Sequence, residues 1–439
     1  MFSTRVQSEV RAYPAHQERS ARIPPPTSGA LELAPRLERW RPLVSGQRFV
    51  WAMVPRWAGV WTRQQHFTLR LAALGAKILY VEPADSWTGA LREGGVRGLL
   101  RAPQIEEVAP GITVLRPRAQ PPGSMLSDLP ARVGALQIAS ATKAILRRWG
   151  WKDGSYLTWH RIPISLFLLS HLTPSKVVYD ITDDYTHFVS DARRKEVVKR
   201  REQQLLRRAD LVFVTNPSLR EPRLPLNPNV HVSLNGVDYE LFATAADART
   251  PEHPLLANVS RPRIGFVGFV SDWLDFELVG KMAERWPGRV VMVGPIKPSC
   301  VAATQRIPKA VWTGFIKDRN ELPALLRGFD VLTIPFQVNE LTDNMNPLKI
   351  WEYLATGKPI VSTALQSMQL CAGLGAVAKS SAEFLDEIDR NLRDGNSNAS
   401  ARMALAREHS WDNIFDEMME KLAKLLGSRE AGCKSPSLD

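Results

Sequence analysis

From residue 47 onward, short apolar runs alternate with longer amphipathic stretches, and that alternation restricts the fold more than any other feature of the sequence. Uninterrupted apolar runs mark strands buried on both faces, whereas apolar residues at helical spacing mark segments that cover a sheet. Taken in turn along one chain, they predict parallel sheets coated by helices. The first series of expected strands is 49–54, 77–82, 112–115, 155–160, 177–181, 211–215 and 230–234, with helices at 63–74, 132–149, 164–171 and 191–209. A polar stretch containing Pro251, Pro254 and Pro262 then reads as a linker. The second series has strands at 263–270, 289–294, 311–315, 331–336, 360–363 and 376–379, and helices at 274–286, 321–327, 347–356, 382–392, 398–409 and 412–426. The expected fold class is α/β, with two Rossmann-like, doubly wound parallel-sheet domains facing a cleft.

A length of 439 residues exceeds what one core usually serves, which agrees with two domains. We divide the chain into an extended or disordered tail at 1–46, a first domain at 47–243, a linker at 244–262 and a second domain at 263–410. A final helix at 411–427 and a flexible tail at 428–439 complete it. The tail at 1–46 holds six prolines, seven Arg and four Glu without periodicity. Cys300, Cys371 and Cys433 lie far apart without ligand spacing, which argues against a disulfide framework or a structural zinc site. No apolar run approaches the roughly 20 residues of a membrane helix, and no secretory signal is evident, so a cytoplasmic location is expected. The balance of 57 Lys+Arg against 45 Asp+Glu leaves +12, which favours anionic partners. Without a recognisable nucleic-acid module, phosphorylated small molecules and acidic lipid fit this charge better than nucleic acid does.

The segment 331–363 reads as strand, polar loop, helix and strand. Asn346 is the expected N-cap and Pro347 the first helical residue, while Gly357 and Pro359 end the helix. A helix starting beside the end of a strand points free N–H groups at an anion. Lys349 in its first turn is unfavourable for the helix unless an anion lies nearby. Glu352, three residues on, shares its face and could accept hydrogen bonds from two vicinal hydroxyls. The pair suits the diphosphate and ribose of a nucleotide; an exposed i,i+3 pair is the plain alternative.

The run Asn346-Pro-Leu-Lys-Ile-Trp-Glu352-Tyr-Leu-Ala-Thr-Gly-Lys-Pro-Ile-Val-Ser-Thr363 resembles the donor-nucleotide motif of GT-B glycosyltransferases of family four, the glycosyltransferases group 1. Asn235-Gly236-Val237-Asp238 with Phe242, the strand Ala209-Asp210-Leu-Val-Phe-Val-Thr215, and Ser410-Trp411 are similar to further segments of that family, in the same order. Residues 57–83 resemble bacterial members that build exopolysaccharide or teichuronic-acid-like polymers. The resemblance implies metal-independent, retaining transfer of a hexosyl group from a UDP- or GDP-sugar to a glycan or lipid-linked acceptor, with no cofactor. It also implies that the last helix crosses back to the first domain. Lys349 and Glu352 then serve catalysis together with Asn344, which stands where the family has a Glu. The donor is expected at Gly268, Phe269, Lys297, Asn346, Pro347, Leu348, Lys349 and Glu352. After strand 263–270, Ser271-Asp272-Trp273 replaces an Arg and Lys that relatives carry, so Lys349, Lys297 and helix starts are left to neutralise phosphate.

Trp57, Gly59, His160, Arg161 and Asp184 stand at ends of strands of the first domain, which in the resemblance receives the acceptor, and are the acceptor candidates; Trp57 and Gly59 could instead close the nucleotide site. A lone His at a strand end is also an ordinary structural feature. Residues 191–208 carry eight Lys/Arg and three Asp/Glu. The pairs Arg193–Arg194, Arg200–Arg201 and Arg207–Arg208 recur every seven residues, giving a basic stripe that is either a solvated face or a dock for an anionic membrane surface on the inner leaflet. A silent sugar- or nucleotide-binding module and a sugar-nucleotide epimerase are the alternatives to a transferase.

Overall fold

The computed structural model of the protein describes residues 33–427 apart from 125, 126, 190 and 372. The expected tail segments 1–32 and 428–439, with Cys433, lie outside the described residues. Over the described residues, one compact unit takes 33–57, 61–233 and 412–427, and the other takes 58–60 and 234–411.

The first unit is built on an eight-stranded sheet: β1 Arg48–Ala52, β2 Lys77–Val81, β3 Gln104–Ala109, β4 Ile112–Arg116, β5 Leu157–His160, β6 Lys176–Ile181, β7 Leu211–Val214 and β8 Val230–Val232. Their order is β3-β4-β2-β1-β5-β6-β7-β8, and every pairing except β3 with β4 is parallel. Helices α1 Arg63–Ala73, α2 Trp87–Leu99, α3 Asp128–Arg148 and α4 Ala192–Arg208 follow strands, as parallel crossovers require. Strand β3 escapes the apolar-run criterion because Glu106 and Glu107 face solvent, a charge pattern that protects a sheet edge from further pairing. Helix α2 escapes it too, because its Gly94-Gly95 pair interrupts any helical pattern and Gly95 kinks the chain. The expected helix at 164–171 is instead a 3-10 segment, Pro163–Ser170.

The extended-tail expectation fails where the described residues begin. Pro35–Trp40 and Arg41–Val44 are helical turns, with Leu37 and Val44 buried. Arg39 pairs with Asp416 at 2.9 Å, and Trp40 Nε1 donates to the same carboxylate at 2.6 Å. Two prolines here occupy helix starts, where a missing N–H costs nothing.

The second unit carries β9 Ile264–Val267, β10 Val290–Val293, β11 Val311–Gly314, β12 Val331–Ile334, β13 Ile360–Thr363 and β14 Ala376–Ala378. Their order is β11-β10-β9-β12-β13-β14, all parallel. Helices α5 Phe276–Arg285, α6 Leu348–Ala355, α7 Ser381–Asp394 and α8 Ala399–Glu408 cover it; α9, Trp411–Gly427, then continues into the first unit. Successive strands run outward from β9 in one direction and from β12 in the other, so strand order reverses between those two. Open α/β sheets hold ligands at that position, outside the carboxyl ends of the strands. Residues 244–262, expected as a linker, include two 3-10 turns, and Ala245, Leu256 and Val259 join the core of this unit.

Candidate functional site

At the strand-order reversal, α6 begins beside the carboxyl ends of β9 and β12. Its cap differs from the sequence expectation. Pro347 is the N-cap and Leu348 the first helical residue, with no side-chain cap. Asn346 is drawn inward instead: its Oδ1 accepts from Trp351 Nε1 at 3.0 Å, and its carbonyl accepts from Asn235 Nδ2 at 2.7 Å. These tertiary partners outcompete capping, and they lock the loop before α6 to the 235–238 segment. Tyr353 fixes the other side of the helix, its hydroxyl accepting from Val267 N at 2.8 Å and approaching Val267 O at 3.2 Å.

Lys349 projects from this anchored turn to the end of β9. Its Nζ lies 5.1 Å from the Phe266 ring and 4.7 Å from the Phe336 ring, at the ends of β9 and β12. A Cβ on Gly268 would come within 2.8 Å of Lys349 Cε, so any side chain there would have to displace the end of this lysine. Gly294, at the end of β10, has φ +146°, and a Cβ there would meet Gly268 O at 1.9 Å. Lys349 makes no hydrogen bond or ion pair among the described residues. Burial pulls its pKa down to about 8, against a smaller upward pull from Glu352. Two aromatic faces stabilise the charge only partly.

Glu352 is half-buried on the same face of α6 and likewise makes no hydrogen bond or ion pair among the described residues. Burial raises its pKa, while Arg319 and Lys349 oppose that rise. Arg319 follows β11 and escaped the sequence reading, since a single arginine in a polar loop carries no pattern. Its Nη1 donates to Asp238 Oδ2 at 2.8 Å, and its guanidinium packs on the Phe242 ring at 5.4 Å. The second unit therefore gathers Lys349, Glu352, Arg319 and Asp238 around one helix start.

The other donor candidates are more dispersed. Pro347 and Leu348 are half-buried at the α6 start, and Phe269 is exposed beside Trp273, 5.8 Å between centroids. Lys297 is tied to Asp272, which also accepts from Ser299 Oγ at 3.2 Å. The Asp272 of Ser271-Asp272-Trp273 thus engages Lys297, one of the two lysines expected to compensate for the missing Arg and Lys. Asn344 Nδ2 donates to Glu340 O at 2.8 Å, closing the short helix Glu340–Asp343.

The acceptor candidates lie in the first unit, except Gly59, which falls in the second. Trp57 is buried, its N–H donating to Glu82 Oε1 at 3.0 Å and its ring set edge-on to Tyr80 at 5.2 Å. Gly59 is half-buried in the turn after β1. Arg161 Nε donates to Thr182 Oγ1 at 3.2 Å. Asp184 caps the 3-10 turn Tyr185–Phe188 by accepting from Thr186 N at 3.0 Å. His160 is wholly enclosed; its Nδ1 lies 2.9 Å from Ser165 Oγ, which itself donates to Ile162 O at 2.6 Å. With the hydroxyl proton so used, Nδ1 carries the ring proton, and burial holds the pKa down at about 3. An enclosed neutral ring has no surface to offer an acceptor. Glu82, at the end of β2, is a buried carboxylate that the sequence reading left inside its strand; burial raises its pKa, and Arg116 lies 3.5 Å away.

The basic stripe is also revised. Arg201 turns inward with Val198 and Leu205, because residues at i−3 and i+4 share its face while its neighbour Arg200 sits 100° away. Its Nη1 donates to Ser124 O and Nη2 to Ser127 O, both at 2.9 Å, and Nε donates to Asp128 Oδ1 at 3.1 Å. No helix among the described residues is long and apolar enough to cross a membrane.

Residues 261–394 match the family model described as Glycosyl transferases group 1. The Bacillus subtilis (strain 168) protein named as a teichuronic acid biosynthesis glycosyltransferase, TuaH, is 30% identical over 224 residues, 48% of this chain and 55% of that protein. The chain thus spans about half the length of this curated relative. Among solved structures, sucrose-phosphate synthase from Thermosynechococcus elongatus aligns with a TM-score of 0.65 at 16% identity, covering 87% of this chain and 100% of that one. The α,α-trehalose-phosphate synthase (UDP-forming) from Burkholderia vietnamiensis gives 0.62 at 14%, covering 88% and 100%. Anabaena HepE in complex with UDP and glucose gives 0.56 at 14%, covering 86% and 99%. The chain has the GT-B fold, and its residues 261–394 are similar to the glycosyl transferases group 1.

Proposed function

We propose that the protein is a retaining, metal-independent hexosyltransferase that takes a sugar from a nucleoside-diphosphate donor and passes it to a glycan or lipid-linked acceptor in bacterial surface polysaccharide synthesis. The observation that carries this reading is the pair of opposite, partly buried and unpartnered charges at the start of α6: an ammonium lodged against Gly268, and a carboxylate one turn away. An uncompensated charge costs stability unless a ligand completes it. In this reading Lys349 and the free N–H groups of α6 receive the diphosphate, and Glu352 accepts hydrogen bonds from two ribose hydroxyls. As the glycosidic bond breaks, positive charge develops on the sugar ring and negative charge on the departing diphosphate, and the fixed ammonium stabilises the latter. Gly268, Phe269, Asn346, Pro347 and Leu348 border the donor, Asn344 faces its sugar, and Lys297 contributes only if its pairing with Asp272 opens. Trp57, Gly59, Arg161 and Asp184 remain assigned to the acceptor, which would be met on the cytoplasmic side of a membrane. The trehalose-phosphate synthase is described as UDP-forming and HepE was solved with UDP, which favours uridine over guanosine here.

Calorimetric titration with UDP, GDP and their sugars tests the reading. Lys349→Ala is expected to weaken binding by about 10- to 100-fold, the equivalent of one hydrogen-bonded charge contact. Glu352→Ala should weaken nucleosides with intact ribose but leave pyrophosphate unaffected. Absence of binding to any nucleotide by the unaltered protein would overturn the assignment.

A further inference from the structure

Outside the donor unit, the largest unexplained feature is an apolar face on α2 and α3 of the first unit. Ala90 is the only buried side chain among those described in α2; Trp87, Leu91 and Val96 are exposed, and Leu100 just beyond it is 73% exposed. On α3, Leu129, Val133 and Leu136 are exposed at i, i+4 and i+7, one stripe of the helix, with Leu129 at 72%. The opposite stripe, Ala131, Ala135, Ile138 and Ala139, packs into the core. Both helices border the segment 119–120. Trp87 N donates to Gln120 O at 2.9 Å and Trp87 Nε1 to Ala119 O at 3.1 Å, while a Cβ on Gly134 of α3 would meet Gln120 Oε1 at 2.6 Å.

Arginines accompany these side chains. Residues 87–101 contain Arg92, Arg97 and Arg101 against one Glu, and all three arginines are exposed. At the start of α3, Asp128 is neutralised by Arg200 at 2.7 Å and Arg201 at 3.1 Å, which sets the exposed cations Arg193, Arg194, Lys199 and Arg200 of α4 on the flank. Large apolar side chains exposed on two helices that border one segment are a liability unless something covers them. A second copy of the chain, joined about a twofold axis, would bring these arginines against one another. Residues 1–32 carry four Arg and three Glu and so offer no negative counterpart.

We propose that this face docks on an anionic lipid bilayer, with Trp87, Leu91, Val96, Leu100, Leu129, Val133 and Leu136 at the boundary of headgroups and acyl chains and the arginines among the lipid phosphates. Such a division of apolar and basic side chains is what holds an element in the membrane interface. The sequence stripe on α4 contributes its Arg200 end and loses Arg201 to the interior. This surface is independent of the donor-site reading and goes beyond it.

An environment-sensitive fluorophore on Leu129→Cys, in a Cys433→Ser background, reports the occupant. A blue shift is expected with phosphatidylglycerol-containing vesicles and only weakly with pure phosphatidylcholine. Vesicle affinity should fall about tenfold or more in Trp87→Ala/Leu91→Ser, and about fivefold for each of Arg92→Gln, Arg97→Gln and Arg101→Gln. Arg207→Gln should not change it. UDP binding of these variants, unchanged from that of the parent, shows that they fold and separates this test from the donor site. A shift that depends on protein concentration without lipid would assign the face to a second copy. A dye already shielded in dilute protein would assign it to another part of the chain. Either result, or equal affinity for neutral and acidic vesicles, overturns the proposal.

Discussion

In the proposed reading, Lys349 serves binding while it opposes folding. Its conjugate acid is held at about 8, below the ordinary 10.5, so between those values the unfolded chain binds more protons than the folded one. Stability should therefore rise with pH across that window, while affinity for a phosphate falls as the ammonium discharges above about pH 8. Titration of UDP binding against pH should show this decline, and Lys349→Arg should abolish it, because guanidinium stays protonated. His160 works in the same sense at lower pH. With its folded value near 3 against 6.5 unfolded, stability is lost as pH falls through 6.5 toward 3, by up to about 1.4 kcal/mol per unit. His160→Asn should flatten that acid limb in denaturant titrations at several pH values, whatever it costs at neutral pH. That Lys349 and Glu352 share one face at a helix start was legible in the sequence, since their spacing is local. Arg319 was not, because its meaning comes from Asp238, 81 positions away, and from a loop that has no periodicity.

Among elements, most strands of both sheets were legible because they are buried on both faces and so tolerate few polar residues. The misread ones each have a physical cause. β3 is an edge strand kept polar by Glu106 and Glu107, α2 is broken by paired glycines, and the α6 cap moved one residue because Asn346 bonds to Trp351 and Asn235 instead. The ends of β9 and β10 are tight enough to predict a strong effect. Gly294→Ala would force a methyl group onto Gly268 O, displacing the backbone beside Lys349. We expect loss of UDP affinity exceeding the loss of thermal stability, measured by calorimetry and melting on one preparation. On α4, Arg201→Met removes three donated hydrogen bonds, and unfolding titrations should show a loss of about 2–3 kcal/mol. Exposed Arg207→Ala should stay within about 0.5 kcal/mol.

At the level of the whole molecule, two parallel-sheet units were legible from the two series of runs. What the sequence did not show is where each unit takes hold of its neighbours in the chain. The core of the second unit draws on residues from Val237 to Ala406, so it reaches back through the segment that composition marks as a linker. A fragment of residues 234–411 is accordingly expected to fold alone and bind UDP within a few-fold of the full chain, whereas one starting at 263 should not fold; circular dichroism and calorimetry distinguish the two.

The ends of that fragment are not loose. Val237 N donates to His409 O at 3.0 Å, Trp411 N donates to Val237 O at 2.9 Å, and the His409 ring stacks 3.9 Å from Trp351 of α6. For anyone exchanging donor specificity between relatives, the portable cassette is larger than the span a family profile recognises. A splice that carries residues 261–394 alone would sever Asn235 from Asn346 and His409 from Trp351 and leave α6, the helix proposed to hold the nucleotide, on a foreign mount. One that takes both border segments together keeps its footing.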